Sequence, residues 1–127
     1  MKKLIIPILL FAACRINAQD SITSVYKGNQ YYQQSQFDIA ESQYRKAIQD
    51  NSKSFIARFN LANALQKQKK FDESITILES LAEDTKEPSL KSSVYYNQGV
   101  AYTKSKELEK SIDSYKKALL FNPNDQE

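Results

Sequence analysis

A chain of 127 residues supports one small domain, and its 41% hydrophobic and 26% charged residues are ordinary for a folded soluble protein. With no histidine or tryptophan, one cysteine, two glycines and three prolines, it excludes a disulfide-stapled scaffold and histidine-based catalysis, and favours long helices over a turn-rich sheet fold. The formal charge of +3 makes no case for nucleic acid. Lys2, Lys3 and Arg15 all precede Gln19, and the rest holds 15 of the 18 basic residues against 15 acidic ones.

The first element is expected to be a leader. Lys2 and Lys3 precede an apolar run at 4–13, the anatomy of an export signal over residues 1–18. The run is shorter than the about 20 apolar residues a membrane span needs. Phe11, Ala12, Ala13 and Cys14 resemble a lipobox, which would make Cys14 a lipidation site. A cut between Ala18 and Gln19 would instead release a soluble, cysteine-free chain, and a retained, membrane-associated N-terminus is the third outcome. The expected location is the periplasm or the periplasmic face of the cell envelope, lipid-anchored in the Cys14 case.

Six helices are predicted after the leader, at 22–34, 37–50, 54–67, 71–83, 89–104 and 108–121. Polar turns fall at Ser35-Gln36, Lys69-Lys70 and Lys106-Glu107, and Pro88 is placed to open the fifth helix, where its missing N–H costs nothing.

These helices repeat in pairs. Gly28 is followed by Tyr31, Ala40, Tyr44 and Ala47; Gly99 is followed at the same spacings by Tyr102, Ser111, Tyr115 and Ala118. A third copy lies between them as Ala62, Leu65, Ser74, Leu78 and Leu81, with Phe37, Phe71 and Leu108 sharing one further position. The steps are 34 and 37 residues, so three extra residues enter near Thr85 to Pro88. Small residues at Gly28, Ala62 and Gly99 allow close approach of the two helices of a hairpin, with Ala40, Ser74 and Ser111 as counterparts. One hairpin cannot bury its apolar face alone, whereas stacked hairpins can.

This register resembles the tetratricopeptide repeat, most closely in the third copy: Tyr95, Gln98, Gly99, Tyr102, Leu108, Ser111, Tyr115, Ala118 and Pro123. Ser24 and Ser52 in the first copy, and Arg58 and Lys86 in the second, depart from the pattern. The resemblance implies an all-α, right-handed α-solenoid of three hairpins, with repeats at 21–53, 54–87 and 88–123 and a tail at 124–127. The leader and repeats also resemble tetratricopeptide proteins of Bacteroidetes Bat aerotolerance clusters, which implies service to envelope complexes. No capping helix is visible after the last hairpin, so the surface around Tyr115, Leu119 and Phe121 is expected to be exposed.

Function is expected in a groove rather than an active site. No glycine-rich phosphate loop and no cluster of titratable groups suggests catalysis, and no metal or cofactor is expected. Glu41 and Arg45 read as a helix-surface ion pair, Glu79 and Glu83 as a mildly repulsive one. In the resembled family the first helices of successive hairpins line a concave surface. Those positions here are Ile22, Val25, Tyr26 and Asn29; Ile56, Phe59, Asn60 and Asn63; and Ser93, Tyr96, Asn97 and Val100. Asparagines at Asn29, Asn60, Asn63 and Asn97 offer both donors and acceptors to an extended peptide, and Tyr26, Phe59 and Tyr96 offer apolar grip. Alternatively the asparagines are solvated surface or cap local backbone. Family members that clamp a C-terminal carboxylate would match Asn29 and Asn60, but Val25, Ser93 and Asn97 replace their cations. The expected role is a protein- or peptide-binding adaptor at the envelope. The competing roles are a self-associating structural protein that stacks through its terminal hairpins, and an accessory subunit of an envelope complex.

Overall fold

The computed structural model describes residues 6–122 and 124, with side chains from Gln19 onward. The start of the leader, the Cys14 side chain and Pro123 lie outside the described residues. Six helices follow one another: α1 (Ile6–Gln33), α2 (Phe37–Asp50), α3 (Phe55–Lys67), α4 (Phe71–Asp84), α5 (Pro88–Lys104) and α6 (Leu108–Phe121). They pair as three antiparallel hairpins, and the fold is an all-α solenoid. The main departure from expectation is α1, which begins at Ile6 rather than near Ile22. No glycine or proline interrupts the chain between Pro7 and Gly28, and Pro7 sits in the first helical turn, where proline is tolerated.

The turns within the hairpins are three copies of one device. Ser35, Lys69 and Lys106 adopt left-handed backbone at φ 59, 61 and 65°. The next residue then donates back across the turn: Gln36 to Tyr31 O, Lys70 to Leu65 O and Glu107 to Tyr102 O, each at 2.9 Å. This is the bond that closes a helix through a left-handed residue, here made without glycine. Between the second and third hairpins, Glu87 caps α5 by accepting from Ser89 N at 3.1 Å and Leu90 N at 3.0 Å, with Pro88 as the first helical residue.

Each second helix shows a single buried stripe. In α4 it is Ser74, Ile75, Leu78, Leu81 and Ala82, the spacing of one helical face. By contrast α3 is packed between α2 and α4 and buries Ala57, Leu61, Ala62, Ala64, Leu65 and Gln66 around most of its circumference. Leu65, Leu78 and Leu81 are almost wholly buried, each worth about 2 kcal/mol of transfer free energy.

The small residues sit where helices touch. A Cβ added at Gly28 would stand 2.5 Å from Cε1 of Tyr44, and one at Gly99 would stand 2.5 Å from Cε1 of Tyr115. The tyrosine ring of the second helix therefore fills the space that the glycine leaves. Ser74 donates to Ala62 O and Ser111 to Gly99 O, both at 2.9 Å, fastening the second helix to the carbonyl beside the contact. Ser21 and Ser92, 71 residues apart, likewise donate to Ala47 O (3.1 Å) and Ala118 O (2.8 Å).

Curvature follows from which helices meet. The backbones of α1 and α3, and of α3 and α5, come into contact, whereas among the described residues those of α2 and α4, and of α4 and α6, do not. First helices therefore line the inner side of the array and second helices the outer.

Candidate functional site

The inner side carries the residues singled out from the sequence, and the fold brings them into one groove along α1, α3 and α5. Tyr26, Tyr96, Ile22 and Ile56 are exposed, whereas Phe59 is half-buried and stacks on Phe55 with ring centroids 5.3 Å apart. Three concavities run along the groove. One of about 290 Å³ lies between α1 and α3 and includes Ile22, Tyr26 and Ile56. One of about 240 Å³ lies over Asn29, Tyr44, Asn60 and Asn63. The largest, about 530 Å³, is walled by Phe59, Tyr96, Asn97, Tyr115 and Leu119.

The asparagines behave differently from either sequence expectation: they pair with each other across neighbouring first helices. Asn60 Nδ2 donates to Asn29 Oδ1 at 3.0 Å, and Asn97 Nδ2 donates to Asn63 Oδ1 at 2.7 Å. Tyr44 completes the first pair by donating its hydroxyl to Asn29 Oδ1 at 2.7 Å. Burial, with a smaller contribution from Tyr32, pushes the Tyr44 phenol up to about 12, which keeps it a neutral donor. The two asparagine–asparagine bonds each join one hairpin to the next, so the groove floor is tied together before any ligand arrives. Among the described residues one amide atom of each asparagine makes no hydrogen bond: Nδ2 of Asn29 and Asn63, and Oδ1 of Asn60 and Asn97. The groove therefore presents alternating donors and acceptors, the pattern that an extended backbone can match. The positions that would carry cations in a carboxylate clamp hold the uncharged Val25, Ser93 and Asn97.

The sequence reading missed a charged junction on the other side of the array. The Glu41 side chain is only 13% exposed. It accepts from Arg45 Nη2 at 2.8 Å, Gln68 Nε2 at 2.8 Å and Lys70 Nζ at 2.9 Å, and Arg45 also pairs with Glu73. Burial pushes the carboxyl up, but hydrogen bonds from Lys70, Arg45 and Gln68, with the charge of Arg45, outweigh it and hold it at about 2. Glu41 is therefore a tie between α2 and the α3–α4 turn rather than a lone surface pair. Glu79, read as repelling Glu83, accepts from the Tyr102 hydroxyl at 3.3 Å. Only the matched spacing of Glu41 and Arg45 was visible beforehand, since Gln68 and Lys70 lie 27 and 29 residues away.

Comparison with known proteins agrees with this geometry. The tetratricopeptide repeat family matches residues 57–84 and 92–125, and the TPR repeat family matches residues 28–69. The chain is a tetratricopeptide repeat protein. It is 33% identical over 101 residues to the protein STIP1 homolog of Dictyostelium discoideum, a match covering 76% of this chain and 18% of that protein. It is 28% identical over 102 residues to the Hsp70-Hsp90 organising protein of Plasmodium falciparum, covering 77% and 18%. The chain thus spans under a fifth of the length of these curated relatives. Among solved structures, the first TPR of Spaghetti (RPAP3) bound to the HSP90 peptide SRMEEVD superposes with a TM-score of 0.76 at 23% identity, covering 84% of this chain and 82% of that one.

The comparisons carry the repeat family and do not extend to Bat-type proteins. They also overturn the expected location. The two curated relatives are named as a STIP1 homolog and an Hsp70-Hsp90 organising protein, not as envelope proteins. Among the described residues no helix is long and apolar enough to cross a membrane. The apolar stretch from Ile6 is helical and runs on into the first repeat. It is the kinship with these two relatives that overturns the periplasmic location.

Proposed function

We propose that this chain is a non-catalytic scaffold that binds an extended peptide segment of a partner protein in its concave groove. One observation carries the reading: the asparagine pairs Asn29–Asn60 and Asn63–Asn97 link successive first helices and leave alternating amide donors and acceptors, flanked by the exposed rings of Tyr26 and Tyr96. A preformed floor of this kind lowers the ordering cost of binding. The kinship with STIP1 and Hsp70–Hsp90 organising proteins supports a peptide-binding role. The missing cations set the ligand apart from the acidic SRMEEVD segment bound by the Spaghetti domain, because uncharged Val25, Ser93 and Asn97 offer no counter-charge.

The test is panning of a random phage-displayed peptide library on the full chain, followed by fluorescence anisotropy of the enriched peptides. Enriched peptides should lose at least about tenfold in affinity with Tyr96→Glu and with Asn63→Ala, at unchanged helicity. No enrichment, or enrichment indifferent to both substitutions, would overturn the proposal.

A further inference from the structure

We infer that the outer face of α6 is a self-association surface, on which a second copy of this chain seats its own α6 antiparallel to form a two-fold dimer. The seat is defined by the repeat. In the second hairpin Ile75 and Ala82 are covered by α5 and are only 7% and 4% exposed. Their equivalents one repeat later, Ile112 and Leu119, are 54% and 39% exposed. Leu120 adds to this surface, at a position that holds Gln49 and Glu83 in the earlier repeats.

What can fill the seat follows from what fills it elsewhere. The incoming helices use residues at relative spacings of 0, 4 and 7: Ala57, Leu61 and Ala64 of α3, and Val94, Gln98 and Ala101 of α5. The corresponding face of α1 is Thr23, Lys27 and Gln30, all exposed. Seating α1 of a neighbouring copy would bury the Lys27 ammonium against apolar side chains, which disfavours head-to-tail chains. In contrast, α6 itself presents Leu108, Ile112, Tyr115 and Leu119 at spacings of 0, 4, 7 and 11, three of them exposed large apolar residues. It can therefore act as seat and occupant together, which is the self-complementarity that a two-fold interface requires.

Charge sets the direction. Glu109 and Lys116 flank this stripe on one side, two helical turns apart, and neither has an ion-pair partner among the described residues. Two α6 helices crossing antiparallel near Ile112 and Tyr115 bring Glu109 of each copy beside Lys116 of the other, twice. A parallel two-fold arrangement would instead carry the charges of the two copies to opposite flanks of the interface and form neither contact.

Sedimentation equilibrium of the full chain, from low micromolar to sub-millimolar concentration, tests the inference. The wild type should pass from monomer to dimer and stop there. Glu109→Lys and Lys116→Glu should each raise the dissociation constant about tenfold, and combining them should restore it. Ile112→Glu should leave a monomer with unchanged helicity. A wild type that stays monomeric throughout, one that grows into longer chains, or a double variant no tighter than the singles would overturn the inference. Peptide capture is read at a concentration where the chain is monomeric, because Tyr115 and Leu119 of the seat also wall the 530 Å³ cavity; there Glu109→Lys and Lys116→Glu, which line none of the groove's cavities, should leave capture unchanged.

Discussion

Replacing each glycine by alanine gives two nearly identical local clashes with different outcomes. At Gly28 the new methyl would meet Tyr44 Cε1 at 2.5 Å and Cδ1 at 2.7 Å; at Gly99 it would meet the same atoms of Tyr115 at 2.5 and 2.6 Å. Tyr44 has nowhere to go. It is 1% exposed, is packed with Leu61 and Leu65 of the next hairpin, and donates to Asn29. Displacing it costs about 1–3 kcal/mol of overpacking and about 0.5–1.5 kcal/mol for the hydrogen bond. Helix propensity returns about 1 kcal/mol. Gly28→Ala should therefore lose about 1–3 kcal/mol, or about 5–15 °C in Tm for a domain of this size. Among the described residues no further hairpin packs over Tyr115, which is half-buried and forms one wall of the 530 Å³ cavity, so its ring can swing outward. The strain there roughly cancels the propensity gain, and Gly99→Ala should stay within about 0.5 kcal/mol of wild type. Thermal melts followed by circular dichroism at the helical band, with both variants side by side, decide the matter. Equal losses, or a larger loss at Gly99, would refute the reasoning that burial of the facing tyrosine sets the cost.

Two further outcomes follow from other parts of the array. The Glu41 carboxyl is held at about 2, below its ordinary value of 4.5, so it stabilises the fold above that ordinary value and the contribution fades as pH falls from 4.5 toward 2. Allowing for solvent screening of half-exposed Arg45 and Lys70, this amounts to about 1–2 kcal/mol, and Glu41→Gln should lose that much at neutral pH and show a flatter acid limb in pH-dependent urea melts. Lys106→Gly should raise stability by about 1 kcal/mol, because φ 65° strains a side-chain-bearing residue; a lower urea midpoint would contradict the turn geometry.

Much of the fold is legible in the sequence because close packing leaves a spaced signature. Gly28 and Gly99 mark helix contacts, and the polar pairs at Ser35, Lys69 and Lys106 mark turns. The start of α1 differs from the expected one because composition sets the apolar run at 4–13 apart from the repeat, whereas the backbone sees only a stretch free of breakers from Pro7 to Gly28. At the groove, the sequence supplied the identities of the asparagines but not their mutual bonds. Asn29 and Asn60 are 31 residues apart, Asn63 and Asn97 are 34 apart, and only the pitch of the solenoid shows that their amides meet. Glu41 was underrated for the same reason: one partner lies a single turn away, and the others come from the next hairpin.

Chemical-shift mapping with ¹⁵N-labelled chain and an enriched peptide tests the groove most directly, since asparagine side-chain NH₂ groups report individually. Binding should shift the amide signals of Asn29 and Asn63 together with backbone signals around Tyr26, Phe59 and Tyr96. Shifts confined to α2, α4 and α6, with the asparagine side chains unmoved, would contradict the account.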